Sequence, residues 1–261
     1  MLGTKRWRYH TLLSLTLLVP SVLVTELPAA TQTAVPRPAI ASPIKVSLKF
    51  KVPKRGAPRS TAGGASRGSC LRGSQQPTNK LLTAVVPNTR LGFTFAERPS
   101  FFVYIPQSSA QTAAFLLLSD DDTKVVYETT FALPATAGIV RFDLPDSAPA
   151  LQVGKQYHWF MTTLCDATTG LSGSPTVEGW IERSNPDVAL TKALQKTLPG
   201  NRPNLYAEAG IWHETLTELA DLQQKYPQNS RFLNDWRDVV RSVGLEAIAA
   251  APLVTANTEK P

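Results

Sequence analysis

Residues 151–157 are Leu-Gln-Val-Gly-Lys-Gln-Tyr, and this short stretch decides the fold. The spacing of its leucine, glycine and tyrosine is that of a tyrosine corner, in which a tyrosine near a strand start bonds its hydroxyl to upstream backbone. Residues 157–165, Tyr-His-Trp-Phe-Met-Thr-Thr-Leu-Cys, then alternate between two faces as a sandwich strand does. The combination predicts a β-sandwich.

Short apolar runs continue on both sides of this corner. From 81 to 184 they alternate with turn signals roughly every ten residues, and aromatic and β-branched residues dominate them. We predict strands at 91–95, 100–105, 113–119, 124–131, 138–143, 155–164 and 177–183, with 81–86 as a candidate edge strand. The pattern resembles immunoglobulin-like and fibronectin-type sandwiches, which span about one hundred residues.

After residue 184 the apolar period changes from two to about 3.6, which predicts helices. Asn185-Pro186 predicts a cap and a first-turn proline, and Ser230 predicts the cap of a later helix. Residues 205–227 resemble the second half of a tetratricopeptide unit, with Thr215 where that pattern prefers alanine. One unit cannot form a peptide-binding groove, so we predict a single hairpin packed on the sandwich or offered to a partner.

The predicted fold class is therefore β-rich, α+β, with an immunoglobulin/fibronectin-like β-sandwich followed by a C-terminal helical, single tetratricopeptide-like hairpin. The predicted segments are a signal peptide at 1–30, a basic Pro/Ala/Gly-rich tail at 31–69, the sandwich domain at 70–184, the helical subdomain at 185–253 and a disordered tail at 254–261.

The N-terminus has the pattern of a secretory signal. Lys5, Arg6 and Arg8 precede an apolar stretch at 12–24, and small residues end at Ala30. We expect cleavage there and export to the periplasm or cell surface; retention as an anchor is the alternative. The apolar stretch is about half as long as a membrane-spanning helix. No later segment is long and apolar enough to span a bilayer.

The positive charge lies in the N-terminal part of the chain. Residues 1–69 hold eleven Lys and Arg and one acid, whereas residues 70–261 carry a net charge of −3. A nucleic-acid-binding domain would carry a basic folded face, so this class is excluded. Candidate contacts for an anionic lipid, polysaccharide or protein are Lys45, Lys49, Lys51, Lys54, Arg55, Arg59 and Arg67. The alternative is a solvated linker.

The two cysteines, Cys70 and Cys165, suit an oxidising compartment and predict one disulfide. Closing that loop would stabilise the fold by roughly 4 to 5 kcal/mol in the chain-entropy model. Two buried free thiols are the alternative. A metal or redox role is the weakest interpretation, because the two cysteines lack the spacing of such sites.

Six stretches carry a family resemblance: Thr-Ala-Gly-Gly-Ala-Ser-Arg-Gly-Ser-Cys (61–70), Leu-Thr-Ala-Val-Val-Pro (82–87), Arg-Pro-Ser-Phe-Phe-Val-Tyr-Ile-Pro (98–106), Gly-Lys-Gln-Tyr-His-Trp (154–159), Gly-Trp-Ile (179–181) and Leu-Tyr-Ala-Glu-Ala-Gly-Ile-Trp (205–212). Over about residues 53–253 the chain resembles the cyanobacterial domain-of-unknown-function family 928. It departs at His213, where an aromatic residue is usual, and at Ala65, which interrupts a glycine run. The resemblance implies an exported cyanobacterial protein and supplies no activity.

Catalytic patterns are weak. His158 and His213 fall in different predicted subdomains, and no G-x-S-x-G elbow is present, so we interpret both as structural. The glycine run at 63–68 lacks the strand and the Lys-Ser/Thr pair of a phosphate loop. The Asp120-Asp121-Asp122 step predicts a solvated hairpin tip, with calcium as the weaker alternative.

Trp159 and Trp180 lie on predicted strands that could be neighbours. Exposed indoles of this kind would be candidates for stacking on sugar rings, whereas core packing is the alternative. A flat exposed strip carrying either residue would distinguish the two.

We therefore expect a non-enzymatic exported envelope protein, acting in protein interaction or assembly, with no cofactor, metal or nucleic acid. A carbohydrate-binding module for cell-wall or extracellular polysaccharide is the alternative. A hydrolase with an unrecognised site is the second alternative.

Overall fold

The computed structural model describes residues 47–56, 81–165 and 174–255. The predicted signal peptide and Cys70 lie outside these ranges. The described residues form nine strands and four α-helices. The strands are β1 (Thr83–Ala84), β2 (Leu91–Thr94), β3 (Ser100–Ile105), β4 (Thr112–Ser119), β5 (Val125–Ala132), β6 (Gly138–Asp143), β7 (Gln156–Leu164), β8 (Thr176–Arg183) and β9 (Leu253–Thr255). The helices are α1 (Val188–Lys196), α2 (Arg202–Ala209), α3 (Trp212–Lys225) and α4 (Ser230–Ser242), with a 3-10 turn (Pro199–Asn201) before α2.

The strands form two mixed sheets, so the β-rich prediction is confirmed. The four-stranded sheet has the order β1-β3-β6-β9, and the five-stranded sheet has the order β2-β8-β7-β4-β5. Neighbouring strands are antiparallel except in the pairs β2–β8 and β6–β9, which are parallel. No helix in the described ranges is both long and apolar enough to cross a bilayer.

All seven predicted strands are confirmed, each to within one residue at either end. The candidate edge strand shortens to β1. The prediction of a disordered tail from residue 254 is wrong for its first two residues, because Val254 and Thr255 pair with Val140 and Arg141 of β6. A three-residue strand carries too little periodicity to be recognised, and only its pairing with β6 defines it.

The two predicted helix caps are wrong by one or two residues. Asp187, not Asn185, caps α1, and its Oδ1 accepts a hydrogen bond of 2.6 Å from the Leu190 N–H. Asn229, rather than Ser230, caps α4. In both cases the residue with extended backbone just before the first helical residue makes the cap, and its side-chain oxygen satisfies a free N–H.

The four-stranded sheet separates two hydrophobic cores. The sandwich core lies between the two sheets and includes Phe101, Val103, Phe115, Phe142, Trp159 and Met161. The helix-side core lies between the other face of that sheet and the helices, and includes Phe102, Tyr104, Ile139, Trp212, Leu216, Trp236 and Val239. β3 is buried at all six positions because both of its faces are covered.

The tyrosine corner is confirmed. The backbone N–H of Gln152 donates to Oη of Tyr157 at 3.0 Å, which fixes the turn that leads into β7. Gly154 lies within this turn with a φ of 76°, a left-handed conformation that glycine adopts without steric cost.

Candidate functional site

Residues 47–56 form an extended segment, here called the strap, that lies against the folded body. Phe50 is 6% exposed and meets Trp212 edge-on, with 4.7 Å between ring centroids. Part of the predicted tail at 31–69 is therefore docked. Its alternating apolar residues bury one face, which outweighs the disorder that its Pro- and Lys-rich composition favours.

Two hydrogen bonds from the strap backbone fix its position. The N–H of Phe50 donates to Oγ of Ser242 at 3.0 Å, and the N–H of Lys51 donates to the carbonyl of Ala207 at 3.0 Å. Ser242 ends α4 and Ala207 lies in the last turn of α2. The strap thus crosses the C-terminal ends of two helices.

Beyond the helices, the strap reaches the five-stranded sheet. The guanidinium of Arg55 is paired with the carboxylate of Glu182 in β8 and lies 6.0 Å from the centre of the Phe93 ring. Glu182 is buried, and its carboxylate also accepts a hydrogen bond of 2.9 Å from the side-chain amide of Gln156. Arg55 is therefore already paired within the molecule, in an ion pair whose cationic side is mostly exposed.

The other predicted anion contacts divide into two groups. Lys49, Lys51 and Lys54 are exposed on the strap. Lys45, Arg59 and Arg67 lie outside the described residues. The docked strap thus contains four of the seven predicted cations, namely Arg55, which is paired with Glu182, and the three exposed lysines.

A buried histidine lies on the outer face of the five-stranded sheet. The Nδ1–H of His158 donates to Oδ1 of Asp122 at 2.8 Å, and its Nε2 lies 3.5 Å from Oε2 of Glu178. Glu178 also pairs with Arg90 at 3.1 Å, and the imidazole stacks on Trp180 with 4.2 Å between centroids. His158 is 1% exposed and is held between two carboxylates, as a structural histidine is.

The cluster around His158 has a strained backbone at both ends. Arg90 and Asp122, with φ of 60° and 59°, are the two non-glycine residues with positive φ in the described ranges. Strain of this kind persists only where the surroundings hold it, and here each residue supplies one charge to the cluster. Nothing in the sequence marks Asp122 for this role. Only the strand pairing of Leu118 with His158 sets the hairpin tip beside the ring.

The hairpin tip itself is otherwise solvated, as predicted. Asp121 accepts hydrogen bonds from the Ser119 hydroxyl at 2.6 Å and the Thr123 N–H at 3.1 Å. These bonds, with the one from Ser119 the largest, lower the pKa of Asp121 to about 2. No group of three or more metal-ligating side chains occurs in the described part of the chain.

The first two residues of α3 attach the helix to the sheets. Nε1–H of Trp212 donates to the carbonyl of Val85 at 2.9 Å, and Nδ1–H of His213 donates to the carbonyl of Ser100 at 2.8 Å. A Cβ on Gly92 would lie 2.6 Å from Nε2 of His213, so only glycine fits there. Burial lowers the pKa of His213 to about 4, against a small opposing effect of the Ser100 bond. His213 is neutral and structural.

Glu214, the next residue, clamps the end of β2. Its Oε1 accepts from the Thr94 hydroxyl at 2.9 Å and from the N–H groups of Phe95 and Ala96 at 2.8 and 2.9 Å. Burial raises the pKa of Glu214, and these hydrogen bonds oppose the rise. Three consecutive side chains of α3 therefore bind three separate segments at or next to strand ends, which ties the helical layer to the sandwich.

The tryptophans do not form a sugar-stacking strip. Trp159 and Trp180 are each 1% exposed, Trp159 in the sandwich core and Trp180 under His158. A Cβ on Gly179 would lie 2.7 Å from the Trp159 indole, so glycine makes room for the ring. The stacking hypothesis for these two residues is wrong, because a strand partner covers each ring.

Two surface grooves each contain an arginine in their lining. A groove of about 610 Å³ lies between β9 and α3, and Arg141 is paired there with Asp143 at 2.7 Å and with Asp221. A second groove of about 380 Å³ has a mainly apolar lining and reaches Arg90 and Glu178. In both grooves the cation is already paired with a carboxylate.

A family model for a domain of unknown function, DUF928, matches residues 62–253. The chain belongs to the DUF928 family. The match confirms the family prediction, while the predicted cyanobacterial origin stays a prediction. No curated protein matches the sequence.

The match to DUF928 begins after the strap, so the docked segment lies outside the family region. Within that region, Cys165 directly follows β7, whereas Cys70 lies outside the described residues. The predicted disulfide between them therefore stays a prediction.

The DUF928 domain has a long strand at one sheet edge. β5 pairs only with β4 among the described strands, so its other side presents unpaired backbone groups. Its sequence, Val-Val-Tyr-Glu-Thr-Thr-Phe-Ala, has no Lys, Arg or Pro, and Val125 is 52% exposed. This is the longest strand at a sheet edge in the described residues.

Proposed function

We propose that this DUF928 protein is a non-catalytic exported protein of the periplasm or cell surface, acting as a protein-interaction or assembly module. The observation that carries the proposal is the open edge of β5. An edge with a row of unpaired N–H and C=O groups is a template for an added strand, and proteins use this mode to bind extended segments of partners.

The composition of β5 supports a binding role. Natural proteins protect edge strands with lysine, proline, bulges or very short length. β5 has eight residues, and its one charged residue is Glu128. The register shift at Leu117/Leu118 affects only its first end. An extended partner segment could therefore pair along most of the strand.

The surroundings of the two described histidines support a non-catalytic role. His158 is enclosed by Asp122 and Glu178, and His213 is bonded to a backbone carbonyl. Each imidazole is occupied in holding two parts of the fold together. The geometry around each ring thus fits structural work better than the activation of a serine, as the hydrolase alternative requires.

Export and the finer fold assignment are further parts of the proposal. The basic N-terminus, the apolar stretch at 12–24 and the two cysteines support export to an oxidising compartment. The tyrosine corner and the core between two sheets support an immunoglobulin-like sandwich with altered edges. The contact between α2 and α3 supports a single tetratricopeptide-like hairpin.

The test is an affinity capture from an envelope fraction with two matched double variants. Val125→Lys/Thr130→Lys places lysines on the β5 edge, and Val153→Lys/Thr136→Lys makes the same changes at exposed sites elsewhere. We expect the edge variant alone to lose the partner, and hydrogen exchange of β5 amides in the wild type to slow on binding. Retention of the partner by the edge variant would overturn the proposal.

A further inference from the structure

The strap has an apolar face and a cationic face. Leu48, Phe50 and Val52 are buried or half-buried, while Lys49 and Lys51 between them are exposed. This is the alternation of an extended chain with one covered side. Since Phe50 is anchored at Trp212, the lysines are fixed on the outer side. Docking therefore converts part of a basic tail into an ordered row.

The strap lysines take part in none of the ion pairs among the described residues. Lys49 shares a groove with Glu208 and Asp235 without pairing with either, and Arg231 lines the same groove. Arg55, one residue after Lys54, is already paired with Glu182. The negative end of the α2 dipole attracts cations only near the last helical turn, where the Lys51 backbone is bonded to Ala207. This attraction does not account for the positions of Lys49 and Lys54.

The spacing of the strap lysines restricts the partner. Alternate residues of an extended chain lie about 6.6 to 6.8 Å apart, so Lys49 and Lys51 offer two cations at that spacing, and Lys54 adds a third exposed cation at the bend that follows. The body from residue 70 onward carries a net charge of −3, so its overall charge does not add to the attraction of an anion. A chain with regularly spaced anions fits such a row better than a flat anionic surface does.

Two other anionic partners fit less well. Membrane-surface segments insert an apolar face between lipid headgroups, but the apolar face of the strap is covered by the helices. Single-stranded nucleic acid is bound by stacking of bases on exposed aromatic rings, but Phe50 is buried.

We propose that the strap binds a linear acidic polysaccharide, whose carboxylate or sulfate groups pair with Lys49, Lys51 and Lys54. This goes beyond the proposed protein-binding edge and uses a different surface, so either proposal can fail alone. With both sites occupied, the protein would link a protein partner to an acidic polymer.

The experiment measures binding of protein produced from the full chain to polygalacturonate and dextran sulfate, with neutral dextran as the uncharged probe. The test variant is Lys49→Gln/Lys51→Gln/Lys54→Gln. The matched control, Lys124→Gln/Lys192→Gln/Lys196→Gln, removes the same charge from exposed lysines elsewhere. We expect roughly tenfold weaker binding for the strap variant and a shallower salt dependence, with the control near wild type.

A second variant distinguishes binding that needs the docked strap from binding by net charge alone. Phe50→Ala keeps every lysine but removes the buried anchor, so we expect it to lose part of the affinity for the acidic polymers. Equal weakening by the strap and control triples would overturn the proposal. So would wild-type binding to vesicles containing phosphatidylglycerol without binding to either acidic polymer, or the absence of binding to any probe.

Discussion

The sandwich core and the helix-side core share the four-stranded sheet but are assembled from different parts of the chain. The sandwich core takes its residues almost entirely from β3 to β8, a continuous stretch of sequence. The helix-side core combines Phe50 of the strap with the middle of β3, three helices and Ala251 near the C-terminal end of the described chain. β3 supplies Phe101 to the first and Phe102 to the second.

This difference has a consequence for stability and binding. A core made from one stretch of strands closes without help from the chain ends. The helix-side core is completed by a strap that is held by Phe50, by the half-buried Leu48 and Val52, by two hydrogen bonds from its backbone and by one ion pair. We therefore expect the strap, which carries the exposed lysines, to open more easily than the sandwich core.

The largest expected effect is in the sandwich core. Phe101 is fully buried and packs on Phe115, Trp159 and His213. Phe101→Ala should lower the free energy of unfolding by about 3 to 5 kcal/mol, because it leaves a cavity between two sheets. Urea denaturation followed by tryptophan fluorescence measures the change. A loss below about 1 kcal/mol would contradict a close-packed core at this position.

The second-largest expected effect is a dependence of stability on pH that is caused by His213. Its pKa is about 4 in the fold and 6.5 without burial, so the unfolded chain takes up a proton first as the pH falls. The stabilisation that comes from burying neutral His213 is complete above pH 6.5. The free energy of unfolding should decrease by about 3 kcal/mol between pH 6.5 and 4. Denaturation across this range should show the slope in wild type. His213→Asn should lack it, and an equal slope in both proteins would refute the assignment.

Removing the aromatic anchor of the strap should lower the free energy of unfolding by a smaller amount. Phe50→Ala removes a buried ring but lets the segment lift away, so we expect a loss of about 2 kcal/mol. Hydrogen exchange should accelerate in the strap and near Trp212, with β4 and β7 unchanged. Arg55→Gln is the matched control on the same segment, and as a partly exposed pair it should cost under about 1 kcal/mol. A larger effect for Arg55 would mean that the ion pair, not the ring, holds the strap.

The smallest effect concerns the tyrosine corner. Tyr157→Phe removes the hydroxyl that accepts from the Gln152 N–H and keeps the ring. The expected loss is about 1 kcal/mol, the usual net value of one hydrogen bond. Thermal unfolding should register it, with hydrogen exchange of the Gln152 amide as the local measure. An unchanged Gln152 exchange rate would show that the corner bond does not protect this amide.

The sequence alone was sufficient for the seven main strands, the helix order and the corner at Tyr157. Their signals are local: alternation within each strand, a 3.6-residue period in the helices, and a fixed spacing of leucine, glycine and tyrosine. The family prediction succeeded for a related reason, since five of its six motifs overlap these same local elements.

The sequence could not predict the long-range contacts that position the strap and the His158 cluster. The docking of Phe50 on Trp212 and the pairing of Asp122 with His158 join residues 162 and 36 positions apart. No local period records such contacts. The burial of Trp159 and Trp180 has the same origin, because a strand pattern shows which residues share a face but not what covers that face.

By itself, then, the sequence determined the elements, because each depends on residues within a few turns or strand repeats of one another. The tertiary structure decided which face of β3 meets which core, which cations are already paired, and where the lysines of the strap are presented. These depend on contacts between distant segments, and the free energy of burying Phe50 outweighs the local preference of a Pro- and Lys-rich chain to stay in solvent.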